Sequence, residues 1–357
     1  MKIIHCADLH LDSKMETNLN GIKAQERKKE ILLTFESMVE YAFNNNVTAI
    51  IIAGDMFDTA RVSNQTKNRV INIFKKFNSI DFIYLSGNHD EDSFILNLTE
   101  IPTNLKIISE EWQCFNYQNV TIAGAKLTSL NSLVLHNTLN LNKNNINIAV
   151  LHGQISKYDN KDNVEIINLT KLKDKNIDYL ALGHIHTYSK GQIDNRGIYC
   201  YSGCLEGRGN DECGEKGFVL LNIENGLITD KFIPFAKRTI IEVKCDITDI
   251  SDWADVEKDI DSKIEKISTD NLLRIVLTGK YKLELQKSVD LYSTKLNSKY
   301  YFANIKDDST LKLNPKIYEN DISLRGEFIR KVLSSNFTDS EKENIIICGI
   351  NALTGEK

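Results

Sequence analysis

The sequence predicts a layered α/β fold that is followed by a smaller second domain and a helical tail. Up to about residue 238, short apolar runs typical of buried strands alternate with amphipathic helical patterns. Beyond residue 115, strands dominate this region at hairpin-like spacing, which indicates mixed sheets flanked by helices. After Pro234 a shorter βαβαβ order begins. We therefore expect three parts, at residues 1–238, 239–315 and 316–357.

Five apolar runs of the first part predict buried strands. These strands are expected at residues 2–6, 48–53, 81–86, 147–151 and 178–182. The helical face between the first two strands carries Ile31, Leu32, Phe35, Met38, Val39, Ala42 and Phe43. A second helical pattern, around Val70, Phe74 and Phe77, separates the next two strands. Later strands are expected near residues 117–124, 199–202, 217–223 and 227–234.

The second part contains both strand-like apolar runs and amphipathic helical patterns, and the tail contains helical patterns. Strands are expected at residues 239–245, 272–277 and 300–305. The intervening helical faces carry Trp253, Val256, Ile260, Ile264 and Ile267 behind a Ser251/Asp252 cap, and then Leu285, Val289, Tyr292 and Leu296. A tail helix is expected from Leu324, Phe328, Ile329, Val332 and Leu333. Thr338 and Glu341 then have the spacing of a capping box that begins a last helix.

Composition places the chain among ordinary globular proteins, because 41% of its 357 residues are hydrophobic and 26% are charged. No apolar run reaches membrane-spanning length, and polar residues follow the first few residues too soon for a secretory signal, so we expect a cytoplasmic protein. Seven scattered cysteines without a CxxC pair argue against a disulfide framework or a zinc cage. The net charge of −5 argues against a strongly basic nucleic-acid binder, although two divalent cations would add four positive charges at a phosphate site.

Polar motifs begin where the predicted strands of the first part end. They are Asp8-Leu-His10, Gly54-Asp55-Met-Phe-Asp58, Gly87-Asn88-His89-Asp90, His152-Gly153 and Gly183-His184-Ile-His186. Taken alone, each motif is an ordinary turn or helix cap. In layered α/β folds, however, groups just beyond the carboxyl ends of strands converge on one crevice. The ordered set therefore indicates a single functional site.

The side chains of these motifs are carboxylates, imidazoles and one carboxamide, without a thiolate. Such ligands suit Mn²⁺, Fe²⁺ or Zn²⁺ rather than a structural zinc site. They are too many for one ion, and a carboxylate can bridge two ions about 3.5–4 Å apart, as in two-metal phosphoester hydrolysis. A spare imidazole can assist the leaving oxygen. The motifs thus predict a dinuclear phosphoesterase centre.

The ordered set DxH, GDxxD, GNHD, H and GHxH resembles the calcineurin-type metallophosphoesterase superfamily. The start, His5-Cys-Ala-Asp-Leu-His-Leu-Asp-Ser13, is similar to the SbcD and YhaO group of DNA repair exonucleases. The resemblance implies an αββα sandwich with a capping domain. It also implies a Mn²⁺-dependent DNA nuclease, a 3′–5′ exonuclease and/or endonuclease, within an SbcCD-like complex for DNA repair and recombination. One alternative is a small-molecule phosphodiesterase or phosphomonoesterase with the same core, and another is a scaffold that retains metals without turnover.

The resemblance also assigns roles to residues. It implies a first metal ion held by Asp8, His10, Asp55 and His186. It implies a second ion held by Asp55, Asn88, His152 and His184, with Asp55 as the bridge. His89 matches the catalytic histidine, and Asp58 matches the acid that orients it. His5 is expected to be packed within the first strand, and His136 is expected on the surface.

Two further segments admit both a structural and a functional interpretation. The glycine-rich loop 203–217 is either a flexible connection or a loop that places Arg208 or Lys216 against a substrate phosphate. The short tail helices cannot be stable in isolation, so they pack either on their own domain or on a partner. From the resemblance we expect the coiled coil of an SbcC-like or YhaN-like ATPase, with Phe328 and Val332 as anchors. DNA is the other expected partner, a homodimer is compatible with the resemblance, and no membrane contact is expected.

Overall fold

The computed structural model describes residues 1–15, 19, 21–58, 62–88, 90, 100–158, 165–282, 285–312 and 318–354. The chain divides into two compact units, Met1–Ile240 and Ile241–Lys357. Within the described ranges, no helix is long and apolar enough to cross a membrane. His89 lies outside the described residues.

The first unit contains two six-stranded mixed sheets. Across the first sheet the order is β14 (Leu227–Pro234), β13 (Gly217–Glu224), β1 (Lys2–Cys6), β2 (Ala49–Ala53), β3 (Asp81–Leu85) and β4 (Leu105–Ile107). Across the second it is β11 (Ser189–Gln192), β12 (Ile198–Tyr201), β10 (Tyr179–Gly183), β7 (Ile146–His152), β6 (Val120–Gly124) and β5 (Gln113–Tyr117). The central strands β1–β4 are parallel to one another, as are β6, β7, β10 and β12. A short parallel pair, β8 (Gln154–Ser156) and β9 (Ile166–Asn168), follows β7.

Side chains alternate between the two faces of each strand, and this alternation builds the layers. Ile3 and Ile51 of the first sheet pack between the sheets, in one cluster with Ile148 and Val150 of the second. The opposite face of the first sheet packs against α1 (Gly21–Asn44) and α2 (Asn64–Lys76). The outer face of the second sheet packs against α3 (Leu135–Thr138) and the 3₁₀ turn Leu169–Leu172. The predicted layered sandwich is confirmed.

The strand register brings the ends of five strands to the same edge of the sandwich. Cys6 pairs with Ile52, and Ala53 pairs with Leu85, so β1, β2 and β3 end side by side. Gly183 pairs with His152, so β7 and β10 also end together. The two sheets meet at this edge, where Nδ1 of His152 lies 2.9 Å from the carbonyl oxygen of Ala53. The register thus brings the described residues of the five motifs to one edge.

A buried ion pair fixes the glycine-rich loop to the first helix. The guanidinium of Arg27 is fully buried and donates to Glu206 at 2.9 Å, to the Gly207 carbonyl at 2.8 Å and to Glu30 at 2.8 Å. Glu206 also accepts from the hydroxyl of Thr34 at 2.7 Å. Removing one partner of such a buried pair costs about 3–5 kcal/mol, because the remaining charge is left uncompensated. The loop is thus a fixed part of the fold.

The second unit contains the predicted order of strand, helix, strand, helix and strand. Its three-stranded sheet has the order β15 (Ile240–Asp246), β16 (Leu272–Thr278) and β18 (Phe302–Asp307). The helices are α4 (Trp253–Ile264), which begins at an N-cap on Asp252, and α5 (Val289–Lys299). Two short strands, β17 (Lys280–Tyr281) and β19 (Thr310–Leu311), form a separate parallel pair. In sequence, β17 follows β16 and β19 follows β18.

The tail forms α6 (Leu324–Leu333) and α7 (Asp339–Thr354). The capping box is present, because the Thr338 amide donates to Glu341 at 2.8 Å and the Glu341 amide donates to the Thr338 hydroxyl at 3.4 Å. The two helices share an apolar cluster with Leu311 and Tyr318 of their own unit. Val332 is buried in this cluster and the ring of Phe328 packs against it. The interpretation of both as partner anchors is wrong for this arrangement, because the tail uses them for its own core.

Two local expectations also differ from the structure. His136 was expected on the surface but is fully buried, because α3 lies on the outer face of the second sheet and its neighbours Leu135 and Leu139 pack there. The helix α1 begins at Gly21, well before the apolar face that predicted it. His5 is packed within β1 as expected, and its Nδ1 lies 2.9 Å from the hydroxyl of Tyr179.

Candidate metal centre

The loops that carry the candidate ligands have unusual backbone conformations. Asp8, His10, Asp55 and His184 have φ values of 51°, 44°, 49° and 97°. Residues other than glycine rarely adopt this left-handed region, at a cost of about 1–3 kcal/mol each, and such strain clusters at functional sites. The conformation is held by hydrogen bonds between the loops, from the Asp8 amide to the Gly54 carbonyl at 3.1 Å and from the His10 amide to the Asp55 carbonyl at 3.0 Å. The surrounding fold thus imposes the turns that aim these side chains inward.

Asp8, His10 and His186 form a first group, whose ligand atoms all lie within 4.8 Å of one another. Nε2 of His10 and Nε2 of His186 are 3.1 Å apart. The other nitrogen of each ring faces a carboxylate: Nδ1 of His10 lies 3.1 Å from Asp58, and Nδ1 of His186 lies 2.7 Å from Glu212. An ionised carboxylate only accepts, so Nδ1 of His186 carries the proton of its hydrogen bond to Glu212, and the ionised Asp58 favours a proton on the adjacent Nδ1 of His10. Two Nε2 atoms facing each other then need a shared proton or a cation between them.

Asp8, Asp55 and His152 form a second group of three, whose ligand atoms also lie within 4.8 Å of one another. The Nδ1–H of His152 donates to the carbonyl of Ala53 at 2.9 Å. Its Nε2 therefore faces two oxygen acceptors, Oδ1 of Asn88 at 3.0 Å and Oδ2 of Asp55 at 3.4 Å. Again a proton or a cation is required where these atoms converge.

Asp55 belongs to the second group, and its carboxylate also approaches a histidine of the first. Its Oδ2 is 3.4 Å from Nε2 of His152 and 3.9 Å from Nε2 of His10. This position fits a bridging carboxylate. Asp8 belongs to both groups, and both of its oxygens accept from the backbone amide of His184, at 2.9 and 3.1 Å. The ring of His184 is in neither group, and its Nδ1 lies 3.8 Å from Glu165.

Burial and the neighbouring charges shift the pKa values of the candidate ligands in different directions. Burial raises the pKa of Asp8 to about 6. Burial alone would lower the pKa of His152, but Asp55 and Asp8 together raise it to about 9. Burial lowers the pKa of His10 to about 4, which keeps it in the neutral form that binds metals. A proton on Nε2 of His152 or a metal cation beside it can satisfy the acceptors, and metal binding releases such a proton. The donor set therefore fits two cations with oxygen and imidazole ligands.

The carboxylate Asp90 and the motif glycines shape the loops around the ligands. Asp90 accepts backbone hydrogen bonds from Met56, Phe57 and Gly87, at 3.0, 2.7 and 3.0 Å. A Cβ atom at Gly87 would lie 2.1 Å from Oδ1 of Asp55, and one at Gly54 would lie 2.0 Å from Nδ1 of His152. These glycines are needed because the ligand side chains pack directly on the backbone.

Asp58, Arg208 and Glu212 lie beside the first group. Arg208 donates from Nη1 to Asp58 at 2.5 Å and from Nη2 to Glu212 at 3.0 Å. Burial would raise the pKa of Asp58, but the contact with His10 and the charge of Arg208 hold it well below its usual range. Burial would also raise the pKa of Glu212, yet the bond with His186 and the charge of Arg208 lower it to about 2. Asp58 was predicted to orient His89, and its described contacts include His10, Arg208 and Ser13.

Two other residues of the glycine-rich loop, Lys216 and Glu212, contact His186. Lys216, one of the two candidates for a phosphate contact, donates to the His186 carbonyl at 2.8 Å and is buried. Glu212 was not predicted, although it contacts His186 directly. Its only signal in the sequence is an acidic side chain within the same loop as Arg208.

Open clefts adjoin the centre on two sides. One, of about 250 Å³, is lined by Asn88, Asp90, Lys126, His152 and Glu165 among others. The other, of about 400 Å³, is lined by Ser13, Lys14, Asp58, Arg208 and Glu212 among others. The first cleft is lined by the candidate ligands Asn88 and His152, so a substrate phosphate has room to reach them from outside.

Gly87→Ala should weaken metal binding, because the added methyl group collides with the carboxylate and the backbone nitrogen of Asp55. We expect a drop in Mn²⁺ affinity of roughly tenfold or more, as for other displacements of groups that position ligands. Isothermal titration calorimetry with Mn²⁺ measures this affinity. Gly21→Ala is the matched control, since a Cβ there meets no atom within 4 Å. Equal affinities of the wild type and the Gly87 variant would contradict this account of the loop.

Comparison with known proteins agrees with this geometry. The calcineurin-like phosphoesterase family model matches residues 1–188. DNA double-strand break repair protein Mre11 of Sulfolobus acidocaldarius is 24% identical, over 97% of this chain and 94% of its own length. The metallophosphoesterase YhaO of Bacillus subtilis, named as uncharacterized, is 26% identical over 78% of this chain and 72% of its own. The SbcD component of nuclease SbcCD from Staphylococcus saprophyticus is 28% identical over 68% and 71%. Since the family match spans more than half of the sequence and all five motifs, the chain belongs to the calcineurin-like phosphoesterase family and is a hydrolase of phosphoester bonds.

Proposed function

We propose that this protein is a DNA nuclease that hydrolyses phosphodiester bonds with two divalent ions, Mn²⁺ above all. The observation that carries the proposal is the extent of the archaeal match, which covers 97% of the chain. The family model ends at residue 188, so the match to a protein named for DNA double-strand break repair extends over Ile241–Lys357 as well. A phosphoesterase for small molecules needs only the dinuclear core.

The donor set supports the choice of metal and the chemistry. When bound, two such ions generate a nucleophile from water and neutralise the phosphate oxygens. Carboxylate, carboxamide and imidazole ligands without a thiolate favour Mn²⁺ over softer ions. In this proposal Asp8, His10 and His186 would hold one ion. Asn88, His152 and His184 would hold the other, with Asp55 shared by both.

A proton must reach the leaving oxygen, and we assign that step to His89. Its neighbours in the chain support this role: the carboxamide oxygen of Asn88 lies 3.0 Å from His152, and Asp90 accepts three backbone hydrogen bonds next to the centre. The contact of Asp58 with His10 supports a role for Asp58 in orienting that ligand. An additional contact between Asp58 and His89 stays a prediction.

The test is a substrate panel with the purified full-length protein and Mn²⁺. Labelled duplex and single-stranded DNA are compared with bis-p-nitrophenyl phosphate and cyclic AMP. We expect cleavage of DNA, because the second unit is shared with relatives named for DNA repair. Hydrolysis of cyclic AMP without cleavage of either DNA would favour the small-molecule alternative.

The control for contaminating nucleases is His89→Asn, purified in the same way. General acid catalysis contributes about 10²–10⁴ in rate, so cleavage should fall by that factor while two Mn²⁺ ions still bind. Unchanged cleavage by this variant would mean that the activity belongs to a contaminant or that His89 has no catalytic role.

We also propose that the protein works with an SbcC-like or YhaN-like coiled-coil ATPase that binds its C-terminal helices. The staphylococcal relative is named as one subunit of a nuclease, which supports a multi-subunit enzyme. The tail exposes apolar side chains at the ends of its helices: Ile322 is fully exposed, and Leu324 and Phe337 are 68% and 51% exposed. These side chains, rather than Phe328 and Val332, are available as anchors.

The double variant Leu324→Asp/Phe337→Asp should therefore reduce recovery of the cognate ATPase in a pull-down. Both positions are exposed, so the fold of the tail should persist, which circular dichroism checks. Leu291→Asp is the matched control, because Leu291 is 76% exposed on α5 of the same unit. Equal recovery by the double variant and the wild type would exclude the tail as the docking surface.

A further inference from the structure

We propose that Arg208 is a positioning residue that clamps the two histidines of the first metal group, and that it does not bind substrate. The clamp consists of Arg208, Asp58 and Glu212. It forms a closed ring with His10 and His186, in which the carboxylates join the guanidinium to the imidazoles. The inference rests on the proposed metal centre, but it makes no use of the nature of the substrate.

The ring is continuous in its contacts. From Arg208, Nη1 reaches Asp58 at 2.5 Å, and the same oxygen of Asp58 lies 3.1 Å from Nδ1 of His10. Nε2 of His10 is 3.1 Å from Nε2 of His186. The Nδ1 of His186 lies 2.7 Å from Oε1 of Glu212, and Nη2 of Arg208 returns to that oxygen at 3.0 Å. One guanidinium therefore sets the separation of the two carboxylates, and the carboxylates set the orientation of both rings.

Both terminal nitrogens of this guanidinium face carboxylates of the protein, and its Nε is buried without a hydrogen-bond partner among the described residues, where a substrate would not reach it. Its two terminal nitrogens each donate to a carboxylate, and the side chain is only 17% exposed. The backbone amide of Arg208 adds a third contact, to Oε2 of Glu212 at 2.6 Å. A substrate phosphate would have to compete with two ionised carboxylates that are already hydrogen-bonded. This geometry is that of an internal clamp, because the planar fork of arginine suits two oxygen acceptors at once.

The loop that carries the clamp is itself held in place. Glu206 and Gly207, which directly precede Arg208, accept hydrogen bonds from the buried guanidinium of Arg27. The Lys237 amide donates to the other oxygen of Glu206 at 2.6 Å. The hydrogen bonds from Arg27 of α1 therefore restrict the position of the loop backbone next to Arg208. Groups that orient metal-binding histidines in this way typically change metal affinity by 10–100-fold when they are removed.

The test is Mn²⁺ titration of the full-length protein, with Arg208→Met and Glu212→Gln compared with the wild type. We expect one of the two Mn²⁺ sites to weaken by about 10–100-fold in each variant while the other keeps its affinity. The Mn²⁺ concentration for half-maximal hydrolysis of bis-p-nitrophenyl phosphate should rise by the same factor. At saturating Mn²⁺, KM for that substrate should stay within about twofold, since the side chain does not touch the phosphate.

The matched control is Arg196→Met, which removes another arginine from a carboxylate. Arg196 donates to both oxygens of Asp178 at 2.9 Å, and Asp178 precedes β10 at the opposite end from the metal centre. Its Mn²⁺ affinities should equal those of the wild type. Unchanged Mn²⁺ affinity in Arg208→Met with a raised KM would overturn the proposal in favour of a substrate contact. Loss of metal in Arg208→Met while Glu212→Gln binds both ions normally would also overturn it. If the affinities fall as expected but DNA is not cleaved, the clamp stands and the proposed substrate fails.

Discussion

The structure depends on how two buried carboxylates are compensated. Asp8 and Asp55 are each only 1% exposed, and isolated charges at such depth are costly. The protein supplies part of the compensation through the His184 amide and through the imidazoles around them. The remaining contacts, between His10 and His186 and between His152 and Asn88, need a proton or a cation between the facing atoms. Bound cations would complete the electrostatic balance, and the grouping of carboxylates with imidazoles fits such ions.

The rest of the first unit serves to hold these acceptors in place. Parallel strands from two sheets end at one edge, left-handed turns aim the side chains inward, and a glycine lets Asp55 pack on the backbone. Behind the ligands, Glu212 accepts a hydrogen bond from Nδ1 of His186, Asp58 lies beside Nδ1 of His10, and Arg208 joins the two carboxylates. Behind these lies the buried pair of Arg27 and Glu206. The buried pair restrains the loop that carries Arg208, and Arg208 with its two carboxylates restrains the histidine ligands. These contacts keep the ligands together despite their strained backbone.

The sequence predicted the features that are local in the chain. Strand periodicity located β1 at its observed bounds and β2 within one residue, and the motifs at strand ends indicated one convergent site. The contacts of Glu212 and Arg208 were not predictable, because the first joins residues 26 apart and the second joins Arg208 to a residue 150 positions away. Periodicity reports which face of an element is buried, but it does not report which side chains meet across loops. The burial of His136 was missed for the same reason.

The central claim is that these side chains form one dinuclear centre bridged by Asp55. Crystals grown with Mn²⁺ and measured at the manganese absorption edge test it most directly, because anomalous scattering locates each ion independently of the protein. The account predicts two peaks about 3.5–4 Å apart, one beside Nε2 of His10 and His186 and one beside Nε2 of His152, with Asp55 touching both. A single peak at saturating Mn²⁺, or two peaks of which Asp55 touches only one, would contradict it.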